Sequence, residues 1–500
     1  MNVVFILSDS HNPMFTGCYG HPLAETPNID RIAINGTRFE NSYCNSPLCV
    51  PARAALFTGR YVHEIETWCN STPWDGKTRG WPHHLKDNGV LLVTTGKLDF
   101  MDGVSHGIEV ELLGGHRKSL DVHSLYREQF IGPRWTEVRT IRQSGPRADL
   151  TEDQLHDHEV ALRSVEWIER ECPKDRPWVL NVNFSAPHPG WPCPPDIWEK
   201  WNARVKLADL SEKYFEPVEK LHPYHQVAAR HECGMFATEE EMRRCHAAYL
   251  AHCEMMDRNV GRVLTALEKA RILDDTLVIY GSDHGECCLA HRCFSKMVQY
   301  EDSIRTPLVM MGPGVKKGQV QKSPVSHLDV FPTIAEALGI SRPCDFRGIS
   351  LMPQCQGKKN APQNDFVLCE YHANGTPAGV FSIVDGRYKY VECVGERPIL
   401  FDLKSDPQEL HDLIVEAPDA DATKKAVARA RERLCAICTP QGVDARAKKH
   451  QRILRDQLEQ SGRLVKEIVK RGYEARTDKL VPRAEFIPDG YLPDGTRARA

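Results

Sequence analysis

The sequence predicts an α/β fold: a mostly parallel central sheet sandwiched by helices, then a smaller C-terminal subdomain with an antiparallel sheet, helices and a tail. Three observations carry this. Apolar, β-branched runs of strand length alternate with helical stretches: Val3 to Leu7, Trp178 to Phe184, Thr276 to Tyr280 and Pro307 to Met311. These runs are apolar at almost every position, as strands covered by helices on both faces require. After about residue 355 the texture changes to short strands joined by tight turns. A chain of 500 residues exceeds what one hydrophobic core holds, so the division expected is a main unit over 1–355 and a subdomain over 356–500.

The elements follow in order. Val3 to Leu7 opens the sheet. Thr26-Pro27-Asn28-Ile29-Asp30 reads as an N-cap, a proline at the first helical position and an acidic first turn. Thr151 to Glu171 reads as a long amphipathic helix, Glu239 to Lys269 as another or a pair, and His327 to Leu338 as a third. Gln354 to Gln363 is polar, with Gly and Pro, and reads as a linker or surface loop. Short strands follow at Phe366 to Glu370, Val380 to Val384, Tyr388 to Val394 and Ile399 to Leu403, with Asp385-Gly386 at a turn. Ala417 to Arg471 is charged and helical. The tail, Gly472 to Ala500, is rich in Pro, Gly and Arg. It reads as disordered or as an arm packed on a neighbour, which would make a homo-oligomer.

Composition narrows the partners. Net charge is −4, so neither nucleic acid nor an anionic membrane is expected. There is no apolar run of about 18 residues. Met1-Asn2 leads straight into five apolar residues, too short a core for a secretory leader, which points to the cytoplasm. The 18 cysteines are scattered, as suits reduced thiols. Cys435-Ala436-Ile437-Cys438 has no second pair nearby, so no zinc site is expected.

The richest segment is Ser46-Pro47-Leu48-Cys49-Val50-Pro51-Ala52-Arg53-Ala54-Ala55-Leu56-Phe57-Thr58-Gly59-Arg60. Pro51 suits a first helical turn, so Cys49 falls at or just before a helix start, where free N–H groups favour an anion. Arg53 lies one turn on, on the same face. A thiol, a guanidinium and a helix start converge on a site for an oxyanion. A buried structural cysteine is the other reading of this segment. Asp9 follows the first strand, and Asp283 and His284 follow the strand Thr276 to Tyr280. Carboxylates at strand ends are candidate metal ligands, helix caps or turn residues.

Cys-x-Pro-x-Arg followed by Leu-x-Thr-Gly-Arg resembles the signature of the formylglycine-dependent sulfatases, of the alkaline phosphatase-like fold. The resemblance implies that a separate maturation enzyme oxidises Cys49 to an aldehyde, whose hydrate is the nucleophile, supported by Arg53. It implies one divalent ion held by Asp9, Ser10, the modified Cys49, Asp283 and His284. Ca²⁺ is expected first, with Mg²⁺ and Mn²⁺ as alternatives. Ser10 departs from the second carboxylate usual in the family and would be a weaker, neutral ligand. Lys97, in Gly96-Lys97-Leu98-Asp99, matches a sulfate-binding lysine; Asp99 replaces the family histidine there and keeps a base role open. Lys296 matches the second sulfate-binding lysine. His188, in Ala186-Pro187-His188, matches the histidine that protonates the leaving oxygen.

Several segments look closest to one branch, the arylsulfatase K type, a uronate 2-O-sulfatase: Ser8-Asp9-Ser10, Gly96 to Asp99, Ser282 to Glu286 with Glu301, and Glu370-Tyr371-His372. A uronate carboxylate would want a cation, for which His291, Arg292 and His372 are candidates. The function expected is hydrolysis of a small sulfate monoester, of a sulfated sugar, a uronate or an aryl alcohol. Two other readings remain at this point: a phosphonate monoester or phosphate diester hydrolase of the same fold, and a non-catalytic binder of sulfated ligands.

Overall fold

The computed structural model describes residues 1–127, 132–470, 473–476, 479–482, 487, 491–492 and 495. Eight strands form the central sheet: β1 (Asn2–Ser8), β2 (Thr37–Phe39), β3 (Leu91–Gly96), β4 (Val110–Leu113), β5 (Trp178–Asn183), β6 (Thr276–Ser282), β7 (Leu308–Met311) and β8 (Gln319–Gln321). Their spatial order is β8-β2-β7-β6-β1-β5-β3-β4. Neighbours are parallel except at β7, which runs antiparallel to β6 and β2.

Side chains of β1 alternate between two cores, as a period of two requires. Val3, Phe5 and Leu7 face α2 (Cys49–Thr58) and α6 (Val330–Leu338), against Leu56, Phe57, Phe331 and Ile334. Val4 and Ile6 face α1 (Pro27–Ile34), α4 (His156–Glu166) and α5 (Glu239–Lys269), against Ile29, Ile32, Val160, Val260 and Leu264. A short helix, α3 (Trp135–Gln143), lies beside the site described below. No described helix is long and apolar enough to cross a membrane, and the cysteines are free thiols.

Some elements differ from the sequence reading. Glu239 to Lys269 is one continuous helix of 31 residues, opened by a reciprocal cap between Thr238 and Glu241. Thr151 to Glu171 is broken. Leu155 is extended and packs, half-buried, against the cluster on α5, so α4 starts only at His156, and a wide turn, Trp167–Glu171, ends it. Thr26 precedes α1, but its hydroxyl accepts from Gly17 N–H and donates to Asp30 instead of capping. Asp257 of α5 takes over, accepting from the N–H groups of Asn28 and Ile29.

The second sheet is antiparallel, in the order β9 (Val367–Tyr371), β10 (Val380–Val384), β11 (Tyr388–Cys393), β12 (Ile399–Asp402). Gly386 at φ +86° closes the β10–β11 turn, and Asp385 accepts from the N–H of Tyr388. One face buries Leu368, Phe381 and Tyr390 against Ala426 and Ala430 of α7 (Asp421–Ile437), Ala447 of α8 (Pro440–Gln460), and Ala55, Val62 and Trp68 near the start of the chain. The tail reading falls mostly outside the described residues. Ile487 and Tyr491 are described, and they pack against Trp135 and Phe236.

Candidate active site

Strand register builds the centre. β1 and β6 are parallel with Ser8 opposite Ser282, and Asp283 N–H donates to the Ser8 carbonyl at 3.1 Å. Asp9 and Asp283 therefore leave adjacent strands at one level, on the carboxyl edge where α/β sheets gather their sites. Ser10 takes a left-handed φ of +64°, which turns its N–H onto Asp283 Oδ1 at 3.2 Å.

Cys49 is the first residue of α2 and is buried. Its Sγ lies 3.3 Å from His284 Nε2 and 3.9 Å from Asp9 Oδ1. Arg53, one turn along, is buried behind the carboxylates. Its Nε donates to Asp283 Oδ2 at 2.8 Å and its Nη2 to Asp9 Oδ2 at 3.5 Å. Asn183, at the end of β5, accepts from Arg53 Nη1 at 3.3 Å. Sequence reasoning passed over Asn183; the signal was two asparagines, Asn181 and Asn183, inside a strand buried throughout.

Lys97 follows β3 and places Nζ 2.5 Å from Asp9 Oδ2 and 3.4 Å from Asp99 Oδ2. Lys296 Nζ is 3.4 Å from Ser10 Oγ. His188 lies in the loop after β5. Asp157 of α4 holds that loop, accepting from the N–H groups of Ser185 at 2.8 Å and Ala186 at 2.6 Å. His188 Nδ1 is 2.9 Å from the Pro189 carbonyl, which leaves Nε2 as the outward atom. Cys49, Lys97, His188 and Lys296 share one cavity of about 300 Å³ with Arg117, Arg134, Glu137 and Glu232.

Residues 1–340 match the family model described as Sulfatase, and residues 290–436 match the one described as N-sulphoglucosamine sulphohydrolase, C-terminal. The chain belongs to the sulfatase family. Arylsulfatase K of Bos taurus is 30% identical over 84% of this chain and 80% of its own. Choline-sulfatase of Rhizobium meliloti (strain 1021) is 30% identical over 82% of each. The crystal structure of phosphonate monoester hydrolase of Agrobacterium radiobacter superposes with a TM-score of 0.71 at 22% identity, over 96% of this chain and 99% of that one. That likeness establishes the alkaline phosphatase-like fold. The protein is a sulfuric ester hydrolase.

The sulfatase centre has a donor set that fits a divalent cation. Asp9, Cys49, Asp283 and His284 each bring one ligand atom to within 4.8 Å of the others, all buried. His284 Nδ1 is tied to the Gly285 carbonyl at 2.9 Å, so Nε2 faces the group. Burial and the Asp9 charge push the Asp283 carboxyl up to about 6, against His284 and Arg53. Against burial, Asp283 and Cys49 pull the His284 ring up to about 9. A bound cation would relieve the repulsion between the Asp9 and Asp283 carboxylates. At Cys49, burial and Asp9 push the thiol up, but Lys296, Lys97 and His284 outweigh them and bring it to about 7.

Several sequence expectations find other placements. Ser10 Oγ donates to Asp9 Oδ1 at 2.8 Å and receives Lys296, so it links the two at the edge of the centre. Asp99 is turned by a φ of +60° toward Lys97 and Arg117. These cations overcome burial and hold its carboxyl below the usual range, a poor setting for a base. The three proposed substrate contacts do not line the cavity. His291 is buried, stacked on Tyr300 at 3.7 Å and bonded to Glu216. Arg292 points at the carbonyls of Met235 and Ala237. His372 is buried on Glu370 at 2.9 Å. Each is drawn into local packing that spacing alone does not reveal. Arg134, Glu137 and Glu232 take their place, and no motif marked them.

Proposed function

We propose that this sulfatase hydrolyses a small sulfate monoester using formylglycine made from Cys49 by a maturation enzyme. The observation that carries the reading is Cys49 at the start of α2, its Sγ between His284 and Asp9, with Lys97, Lys296 and His188 on the same cavity. Asp9, Asp283, His284 and the modified Cys49 would hold one divalent ion, Ca²⁺ by preference given two carboxylates, and the ion would polarise the sulfate and the nucleophile. The aldehyde hydrate supplies one hydroxyl for attack and a second for release of sulfate.

The chain's own residues do the rest. Lys97 and Lys296 face the same space as Cys49 and would neutralise sulfate oxygens. Arg53 holds Asp9 and Asp283 in register from behind, through two of its nitrogens. Burial and Lys296 bring His188 down to about 3, so the free enzyme carries a neutral ring. An arriving sulfate would cancel part of the Lys296 and Lys97 charge and raise the ring toward the range of a general acid. Nε2 would then give its proton to the departing alkoxide, with Lys296 as a second donor on the same cavity.

The test is the mass of the peptide containing Cys49, from protein co-produced with a formylglycine-generating enzyme, followed by turnover of 4-nitrophenyl sulfate and of a 4-nitrophenyl phosphonate ester. The expected result is aldehyde or hydrate mass and faster sulfate hydrolysis. An unmodified thiol in active protein would overturn the nucleophile. A large preference for the phosphonate would overturn the substrate class.

A further inference from the structure

The loop that carries Lys296, residues 287–297, is buried except at Arg292, which is half-buried. Six of its residues hold a left-handed backbone without being glycine: Cys288 (φ +47°), Leu289 (+74°), His291 (+51°), Arg292 (+57°), Ser295 (+68°) and Met297 (+88°). Lys296 stands between the last two. Such conformations crowd a side chain against its own backbone and persist only where the surroundings impose them. A loop free to relax would leave them, and Lys296 would move with it.

The loop closes on itself. Cys287 N–H donates to the Ser295 carbonyl at 2.7 Å, and Leu289 N–H to the Cys293 carbonyl at 2.9 Å. The N–H between these two is taken by a side chain: Cys288 N–H donates to Glu286 Oε1 at 3.0 Å. Glu286 is wholly buried and is itself fixed, because Asn12 Nδ2 donates to its carbonyl at 2.9 Å. Asn12 belongs with Ser10 to the turn after β1, and Ser10 Oγ lies 3.4 Å from Lys296 Nζ. The contacts thus run in a circuit from Lys296 to the turn after β1, on to Glu286, and back into the lysine loop. It joins the segments that bear Asp9, Asp283 with His284, and Lys296. Burial raises the Glu286 carboxyl to about 7 against the attraction of Lys296. The tie to Cys288 asks only for an oxygen at this place, whatever its charge.

We propose that Glu286 is a positioning residue: by accepting from Cys288 N–H, it holds the strained loop in the form that sets Lys296 beside Ser10 and on the cavity of Cys49. The proposal rests on the reading of Lys296 as a sulfate-binding group. His291, bonded to Glu216 and stacked on Tyr300, pins the middle of the same loop; Glu286 is what ties it to the segment of Asp283 and His284.

The test compares three variants, each matured by a formylglycine-generating enzyme and checked for an intact thermal transition. Glu286→Gln keeps the oxygen and the shape. Glu286→Met keeps the length and removes the acceptor. Glu286→Asp keeps a carboxylate but is one methylene too short, and it serves if the Met variant does not fold. With 4-nitrophenyl sulfate, Glu286→Gln should stay within about threefold of the parent in kcat/KM, because its hydrogen bond survives. Glu286→Met and Glu286→Asp should lose about 10–100-fold, the cost of a displaced sulfate ligand. In a Lys296→Ala background the same changes should cost no more than about a further twofold, since nothing is left to position. Hydrogen exchange of the 287–297 peptide, read by mass, should quicken in Glu286→Met and Glu286→Asp but not in Glu286→Gln. A full loss on top of Lys296→Ala would overturn the inference, as would unchanged exchange or a Gln variant as impaired as the others. If Lys296→Ala turns over like the parent while exchange still quickens in Glu286→Met, the sulfate-binding reading of Lys296 fails and the tie from Glu286 to the loop stands.

Discussion

Arg53 bridges Asp9 and Asp283, with Nε 2.8 Å from Asp283 Oδ2 and Nη2 3.5 Å from Asp9 Oδ2, and all three side chains are buried. Two carboxylates brought together by strand register would repel in a dry site, and the guanidinium answers that from the side away from the cavity. A residue singled out beside the nucleophile thus acts on the carboxylates.

Arg53→Met should therefore destabilise the protein as well as impair turnover. Leaving two buried carboxylates without their partner costs about 3–5 kcal/mol. Urea unfolding of the variant should show a clearly lower midpoint. An unchanged midpoint would mean that Arg53 is dispensable for the fold.

Removal of divalent ions should act on the same pair of carboxylates. Chelation by EDTA is expected to abolish turnover and lower Tm by a few degrees, both restored by Ca²⁺. If Tm and activity are both indifferent to the chelator and to added ions, Asp9, Asp283 and His284 do not form a metal site.

His188→Ala should separate good from poor leaving groups. Loss of a general acid costs roughly 10²–10⁴-fold on an alkyl sulfate and far less on 4-nitrophenyl sulfate, whose phenolate departs unaided. Asp157→Asn should give a weaker form of the same pattern, because the Asp157 carboxylate pins the Ser185 and Ala186 N–H groups that position the His188 loop. Equal losses on both esters would remove His188 from the acid role.

The Glu370 carboxylate ties the second sheet to the start of the chain, bonding His63 Nδ1 and His372 Nε2, each at 2.9 Å. Despite burial, the two histidines bring its carboxyl down to about 2. Its folded value lies below its unfolded one, so the stabilisation is present above about pH 4.5 and is lost as pH falls toward 2. It amounts to roughly 3 kcal/mol. His63, raised by the same contact against burial, contributes with opposite sign: its share is complete below about pH 6.5 and is lost as pH rises through its raised value. The two shifts describe one interaction and are not added. Glu370→Gln should lower stability at neutral pH and flatten its acid limb in chemical denaturation; an acid limb as steep as that of the parent would refute the assignment.

Strand and helix identities were legible because burial on both faces leaves an unbroken apolar run, as at Val3 to Leu7, and because Asp-Gly turns announce hairpins. The breaks at Leu155 and the antiparallel β7 were not, since each depends on which neighbour the chain meets. In the site, the contiguous segment around Cys49 and the residues just after β1, β3, β5 and β6 were legible, because strand ends of a parallel sheet converge on one edge. His291, Arg292 and His372 misled because a histidine or arginine near a motif has the same composition whether it faces a cavity or a ring such as Tyr300.

The order of residues determined by itself the sheet with its two cores, the helix start at Cys49 and the chemical types gathered at the carboxyl edge. Those properties follow from local periodicity and from strand ends, which neighbouring residues specify. Tertiary structure alone decided that Asp99 serves Lys97 and Arg117, that Asp157 holds the His188 loop, and that Arg134, Glu137 and Glu232 line the same cavity as Cys49. Glu232 and Arg134 are 98 residues apart in the chain, and only long-range packing brings such charges within bonding distance.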